Sequence, residues 1–272
     1  MANEGIIKKT TSELAAKQGK PKTLNDYIKM MEPEIKKALP SVITPERFTR
    51  MTLTAIRATP GLASCEPMSF LAAMMSAAQL GLEPNTPLGQ AYILPFRNNK
   101  KGITEVQFQI GYKGLIDLAY RSGEVELVQA QCVYENDTFE CEYGIEPKLK
   151  HIPAEKDRGE LVKVYALFRT KSGGYGYEVM SVDDIRAHAQ KYSKAYSSGY
   201  SPWKTNFEEM AKKTVLKKVL KYAPLKSDFV RSVVQDESVK SELSSDMYEV
   251  PAEHVDYVDV QVDEETGEVK EG

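Results

Sequence analysis

The sequence predicts an α+β protein: N-terminal helices, a central antiparallel sheet with hairpins, C-proximal helices and a disordered acidic tail. Three observations lead there. Helical periodicity runs from about Leu24 to Leu82, alternating strand patterns bounded by turn residues take over from Gly89, and the apolar period fades after about Gln235. The chain divides accordingly into a flexible basic arm (1–22), a core (23–235) and a tail (236–272).

The first helix starts at Leu24, with Leu24, Ile28, Met31, Ile35 and Leu39 on one face; Pro33 is expected to kink or divide it. Thr44 is placed as the N-cap of a second helix that opens on Pro45 and carries Arg47, Arg50 and Arg57. "EPMSFLAAMMSAAQLGL" (66–82) is apolar nearly all round, which predicts a buried helix ended by Gly81. "GQAYILPF" (89–96) and "ITEVQFQI" (103–110) flank the turn "RNNKKG" (97–102). The second run alternates Val106, Phe108 and Ile110 with Glu105, Gln107 and Gln109, a hairpin with one apolar and one polar face. A short helix is expected at 111–123 and strands at 125–134, 161–170 and 175–180, the last two joined by the turn "KSGG". Ser181 caps a helix over 181–196, and "WKTNFEEMAKKTVLKKVLKYAPL" (203–225) forms the last one.

Composition excludes several classes. No stretch reaches the ~18 apolar residues of a membrane span and the N-terminus lacks a signal-peptide block, so a cytoplasmic protein without membrane contact is expected. Cys65, Cys132 and Cys141 suit neither a disulfide framework nor a paired zinc motif, and His151, His188 and His254 are scattered, so no metal site is expected. Neither a G-x-x-x-x-G-K-[ST] loop nor a strand–G-x-G-x-x-G–helix unit occurs, which disfavours an ATP-driven mechanism. Charge is segregated: residues 236–272 hold 13 acidic and 2 basic groups, a net of −11, while the preceding 235 residues carry 34 basic and 26 acidic groups, a net of +8.

The basic groups interleave with aromatics and amides, the parts that hold single-stranded nucleic acid. Arg97, Lys100 and Lys101 sit at the hairpin tip, and Gln107 and Gln109 on its polar face. Tyr112 and Lys113 lie between two glycines that would let a phosphate backbone approach the main chain, and Arg121 ends that helix. Plainer readings stand beside these. Lys100 and Lys101 suit edge solubilisers, the glutamines face water equally well, Tyr112 reads as core or stacking platform, and Arg121 favours a helix C-terminus. On a helical wheel of 203–225, Lys213, Lys217, Lys218 and Lys221 fall on a solvated face. Lys212 falls in the apolar half, near Trp203 and Lys204 in sequence, where a lysine snorkels, pairs or meets an anion.

"AAQLGLEPNTPLGQAYILPF" (77–96), "VQFQIGYKGLIDLAYRSGEV" (106–125) and "SPWKTNFEEMAKKTVLKKVLKYAPL" (201–225) resemble the RecT family of phage single-strand annealing recombinases, through about residues 25–230. The resemblance implies ATP-independent binding of single-stranded DNA, annealing to a duplex intermediate, some strand invasion, and assembly into homo-oligomeric rings or filaments in a bacterial host. It also implies work beside a phage exonuclease and the host single-strand-binding protein, with no catalytic residues and no nucleotide cofactor. The DNA-contacting set expected from the residues is Arg97, Lys100, Lys101, Gln107, Gln109, Tyr112, Lys113, Arg121, Trp203, Lys204, Lys212 and Lys213. A single-strand-coating protein without annealing activity would carry the same inventory; a nuclease would need grouped carboxylates, which the sequence shows only in its tail.

Overall fold

The computed structural model describes residues 24–39, 43–193, 196, 201–223, 236–254, 261–262 and 269–270. The arm expected at 1–22 and most of the tail beyond His254 lie outside the described residues. The chain folds as two compact units, one of residues up to Gly114 together with those from Arg231 on, the other of Leu115–Val230, so the core expected over 23–235 is divided between them.

The first unit begins with α1 (Leu24–Ala38) and α2 (Pro45–Ala58). Pro33 lies inside α1 without dividing it. The Thr44 hydroxyl accepts the Arg47 N–H at 3.2 Å and caps α2 as its sequence predicts. After a 3-10 turn (Pro60–Ser64) comes α3 (Pro67–Leu80), buried at every position from Ser69 to Ala78. The Glu66 carboxylate accepts the Ser69 N–H at its start, and Gly81, in the left-handed region at φ 65, ends it. The Ser69 hydroxyl in turn accepts the N–H of Val106, tying α3 to the hairpin of β1 (Ala91–Asn98) and β2 (Ile103–Ile110). These strands pair antiparallel from Ala91↔Ile110 to Asn98↔Ile103. The expected polar face is not solvated, because β2 is buried at each residue from Glu105 to Ile110. α4 (Tyr112–Arg121) then carries the chain into the second unit.

There β3 (Val125–Tyr134), β6 (Leu161–Thr170) and β7 (Tyr175–Ser181) form an antiparallel sheet in the order β3-β6-β7 at the expected positions. A second hairpin, β4 (Thr138–Glu142) with β5 (Lys148–Ile152), was not expected. Asp137 anchors it, accepting from Arg158 Nε, His151 Nε2 and the N–H of Tyr134 and Ala154, each at 2.9–3.0 Å. The Arg158 guanidinium holds the Asp137 carboxyl well below the usual carboxylate range. α5 (Val182–Tyr192) starts in a reciprocal capping box between Ser181 and Asp184. The helix expected from Trp203 is interrupted at Asn206, leaving a short α6 (Pro202–Thr205) and α7 (Phe207–Leu220). α7 packs on β3, β6 and β7.

The chain then returns to the first unit. Asp236 accepts the N–H of Ile110 at 2.7 Å, and β8 (Ser238–Val239) and β9 (Glu253–His254) extend the sheet in the order β1-β2-β8-β9. Gln79 of α3 donates to the Ser245 carbonyl at 3.0 Å and accepts the Met247 N–H at 2.9 Å. Buried Lys240 donates to the Met247 carbonyl, and burial pushes its pKa down to about 8. Residues 236–254 are therefore part of the fold, within the stretch expected as tail from residue 236. β10 (Gln261–Val262) pairs with β11 (Val269–Lys270) beyond it.

Candidate nucleic-acid interface

At the tip of the β1–β2 hairpin, Arg97 and Lys100 are exposed, whereas Lys101 is engaged. Its ammonium lies 2.9 Å from the buried Glu105 carboxylate and 2.8 Å from Glu253, and the Glu253 and Glu105 hydrogen bonds raise its pKa above the ordinary lysine value. Asn98 completes the arrangement by donating to Glu105 at 2.7 Å. Lys101 thus neutralises a buried carboxylate. Gln107 and Gln109, expected on an accessible face, are buried, and Gln109 Nε2 donates to Gln107 Oε1 at 2.6 Å. Buried amides must be hydrogen-bonded, and here one glutamine serves the other.

At the opposite end of this ladder, Gly111 and Gly114 bracket the exposed Lys113. The glycines do not leave space for a ligand backbone, because the protein's own main chain fills it. A Cβ at Gly111 would stand 2.1 Å from the Gly89 carbonyl oxygen, and one at Gly114 would stand 2.0 Å from that of Gln90. The Gly111 N–H donates to Gln90 O at 2.9 Å, fixing the contact. The Lys113 stem crosses Gly89, and its ammonium reaches 5.9 Å from the centroid of the half-buried Tyr112 ring, within cation–π range. The tip cations and Lys113 are separated by an eight-residue strand, roughly 23 Å at the rise of an antiparallel strand. That is about seven nucleotides at the B-form rise.

Helix α2 adds a groove of about 390 Å³ lined by Arg50, Leu53 and Arg57 together with Glu32 and Glu46, so its charge is mixed. Arg47 is held 2.9 Å from Glu83.

In the second unit the expected contacts are largely committed to the fold. Arg121 pairs with Asp117 one turn back at 2.9 Å. Trp203 is buried, with edge contacts to Tyr196 and Phe207 at 6.4 and 6.1 Å between centroids, so its ring is not a platform for bases; its indole N–H has no partner among the described residues. Lys204 is exposed. Lys213, expected on the solvated face of α7, is 7% exposed, whereas Lys217 and Lys218, expected on the same face, are half-exposed. Lys212 is half-buried and pairs with Glu209 at 3.0 Å. Burial alone lowers the Lys212 pKa, but the Glu209 hydrogen bond and the charges of Glu209 and Glu208 outweigh it and leave it raised. Glu208 itself accepts from the Tyr134 hydroxyl at 2.8 Å, and burial with that bond pushes the phenol up to about 12.

Residues 46–251 match the family model described as RecT family. The chain belongs to the RecT family. Protein RecT of Escherichia coli (strain K12) is 44% identical over 209 residues, 76% of this chain and 77% of that protein. An uncharacterized protein of Bacillus subtilis (strain 168), YqaK, is 29% identical over 198 residues, 72% of this chain and 66% of that one. Membership makes this a recombination-related single-strand annealing protein, of a family whose members anneal rather than catalyse bond chemistry. The RecT match ends at residue 251, so the returning segment that supplies Asp236 and Lys240 belongs to the matched region. Among the described residues no helix is long and apolar enough to cross a membrane.

Proposed function

We propose that this chain binds single-stranded DNA by its backbone and anneals complementary strands without nucleotide hydrolysis, as a ring or filament of many copies. The observation that carries the reading is the RecT match over residues 46–251, and the solvent-facing cations Arg97, Lys100, Lys113 and Lys204 supply groups suited to phosphates. Contacts to phosphate and sugar position a strand without reading it, which leaves base edges free to pair. Retention of two strands then comes from the new duplex. Stacking contributes ~1.4 kcal/mol per step, so a modest matched tract outweighs any one side-chain contact and mismatched strands leave. The working context is the cytoplasm of a bacterial host, beside a phage exonuclease that resects duplex ends and the host single-strand-binding protein.

The test is annealing of two complementary labelled oligonucleotides without any nucleotide, with and without magnesium. Acceleration over the spontaneous rate is the expected result. Slowing would identify a single-strand coat protein instead, and cleavage in magnesium a nuclease.

A further inference from the structure

Within the first unit, the connection between α3 and β1 is more rigidly built than a plain loop requires. Asn85, 1% exposed and at φ 52, accepts the Ile93 N–H at 2.8 Å and donates to the Ile93 carbonyl at 3.0 Å and the Thr59 hydroxyl at 2.8 Å. From that anchor the chain makes a turn, Thr86–Gly89, closed by the Gly89 N–H on the Thr86 carbonyl at 3.0 Å. Pro87 at its second position fixes φ there. Gln90 is pinned from the far side by Gly111 and Gly114. The tip of this mount is apolar and in water: Leu88 is 53% exposed, while Leu82 and Leu94 on either side are fully buried. A lone exposed leucine is unremarkable on a surface, but this one is held in place next to a cation. A Cβ at Gly89 would sit 3.4 Å from Lys113 Cδ, 3.8 Å from its Nζ and 3.3 Å from the Tyr92 hydroxyl. Gly89 therefore both permits the left-handed turn exit, at φ 62, and leaves the passage through which the Lys113 stem reaches the tip.

We propose that Leu88 is a base-contacting wedge: it packs against, and separates, bases of a single strand whose adjacent phosphate is held by Lys113. An apolar tip beside an ammonium matches the two faces of a nucleotide, an apolar base and an anionic phosphate. Leucine is among the side chains that insert between base steps. This inference rests on the proposed binding of single-stranded DNA and names residues for it; Leu88, Pro87 and Gly89 have no charge by which a search for phosphate contacts finds them.

The experiment uses the full chain and an oligonucleotide carrying 2-aminopurine, whose fluorescence rises when it is unstacked, titrated over a range of salt concentrations. The unsubstituted chain and Leu88→Met are expected to raise the fluorescence alike. Leu88→Ala is expected to abolish most of that rise and weaken binding about three- to tenfold, in keeping with lost contact over the exposed half of one leucine side chain. Its salt slope stays unchanged because no phosphate contact is lost. Binding and fluorescence by Leu88→Ala equal to the unsubstituted chain would overturn the wedge while leaving the function standing. So would a changed subunit number of Leu88→Ala in sedimentation without DNA, which would make Leu88 a contact between copies. Absence of binding by the unsubstituted chain would overturn the function and the wedge together.

Discussion

Lys113 at the start of α4 and the lysines of α7 look alike as sequence, each a cluster of basic residues beside aromatic ones. Their settings differ. Lys113 stretches over a glycine into solvent, with an aromatic ring as its neighbour. On α7, Lys212 is bound to Glu209 and Lys213 is buried. The acidic first turn of that helix, Glu208 and Glu209, already supplies negative charge where a phosphate would have to come. Lysine density is thus a poor measure of anion affinity. What decides it is whether a carboxylate is within reach and whether the ammonium keeps its access to water.

The comparison can be broken most directly at Lys113. Lys113→Ala should lower the salt slope of single-strand binding by about 0.7, which at 0.1 M salt corresponds to about fivefold in affinity. Anisotropy titrations at several salt concentrations measure both, and an unchanged slope would remove Lys113 from the interface. Lys212→Met should do the reverse. It leaves the Glu209 carboxylate without its partner and should lower Tm by about 3 °C, as expected for a loss of about 1 kcal/mol in a chain of this size, with no change of slope. A fall in slope instead would show that α7 does meet the strand. A finer contrast lies within the hairpin tip. Lys101→Ala should cost stability, since Glu105 is buried, whereas Lys100→Ala should leave Tm within about 1 °C and reduce only the slope. The smallest effect is expected from the tail. Truncation after His254 should keep the fold and tighten binding at low salt about twofold by removing acidic charge. Truncation after Gln235 should lower Tm, because it deletes the Asp236, Lys240 and Met247 contacts.

Local signals were reliable where one element answers to one pattern. α3 shows Pro67 at its start, Gly81 at its end and apolar residues all round, and β1 and β2 pair around the basic turn at 97–102. The β4–β5 hairpin had a signal that the charged residues masked: Phe139 and Cys141 alternate with acids, and Leu149 and His151 with lysines. The failures at the site share another origin. Gln107 and Gln109 lie on a strand whose last N–H is taken by Asp236, 126 residues away. Nothing near them in sequence announces this. A wheel divides a helix into one wet and one dry half; on α7 Lys217 and Lys218 keep partial exposure, but Lys213, at the border beside buried Leu220, does not. Lys113 is exposed, as its polar, glycine-bracketed setting suggests. Its glycines do mark a close approach of backbone, but the backbone is that of residues 89–90.

Asn85 has a consequence for the proposed assembly of many copies. β1 is the outer strand of its sheet, and an open strand edge is a template on which another chain can add. Along this edge the Ala91 carbonyl is taken by the Asn85 N–H, both main-chain groups of Ile93 are taken by the Asn85 amide, and Pro95, the next residue of the same parity, has no N–H to offer. One residue, Asn85, and one proline block this edge from Ala91 to Pro95. In the proposed assembly, copies gathered on one strand would therefore not zip together through this part of β1.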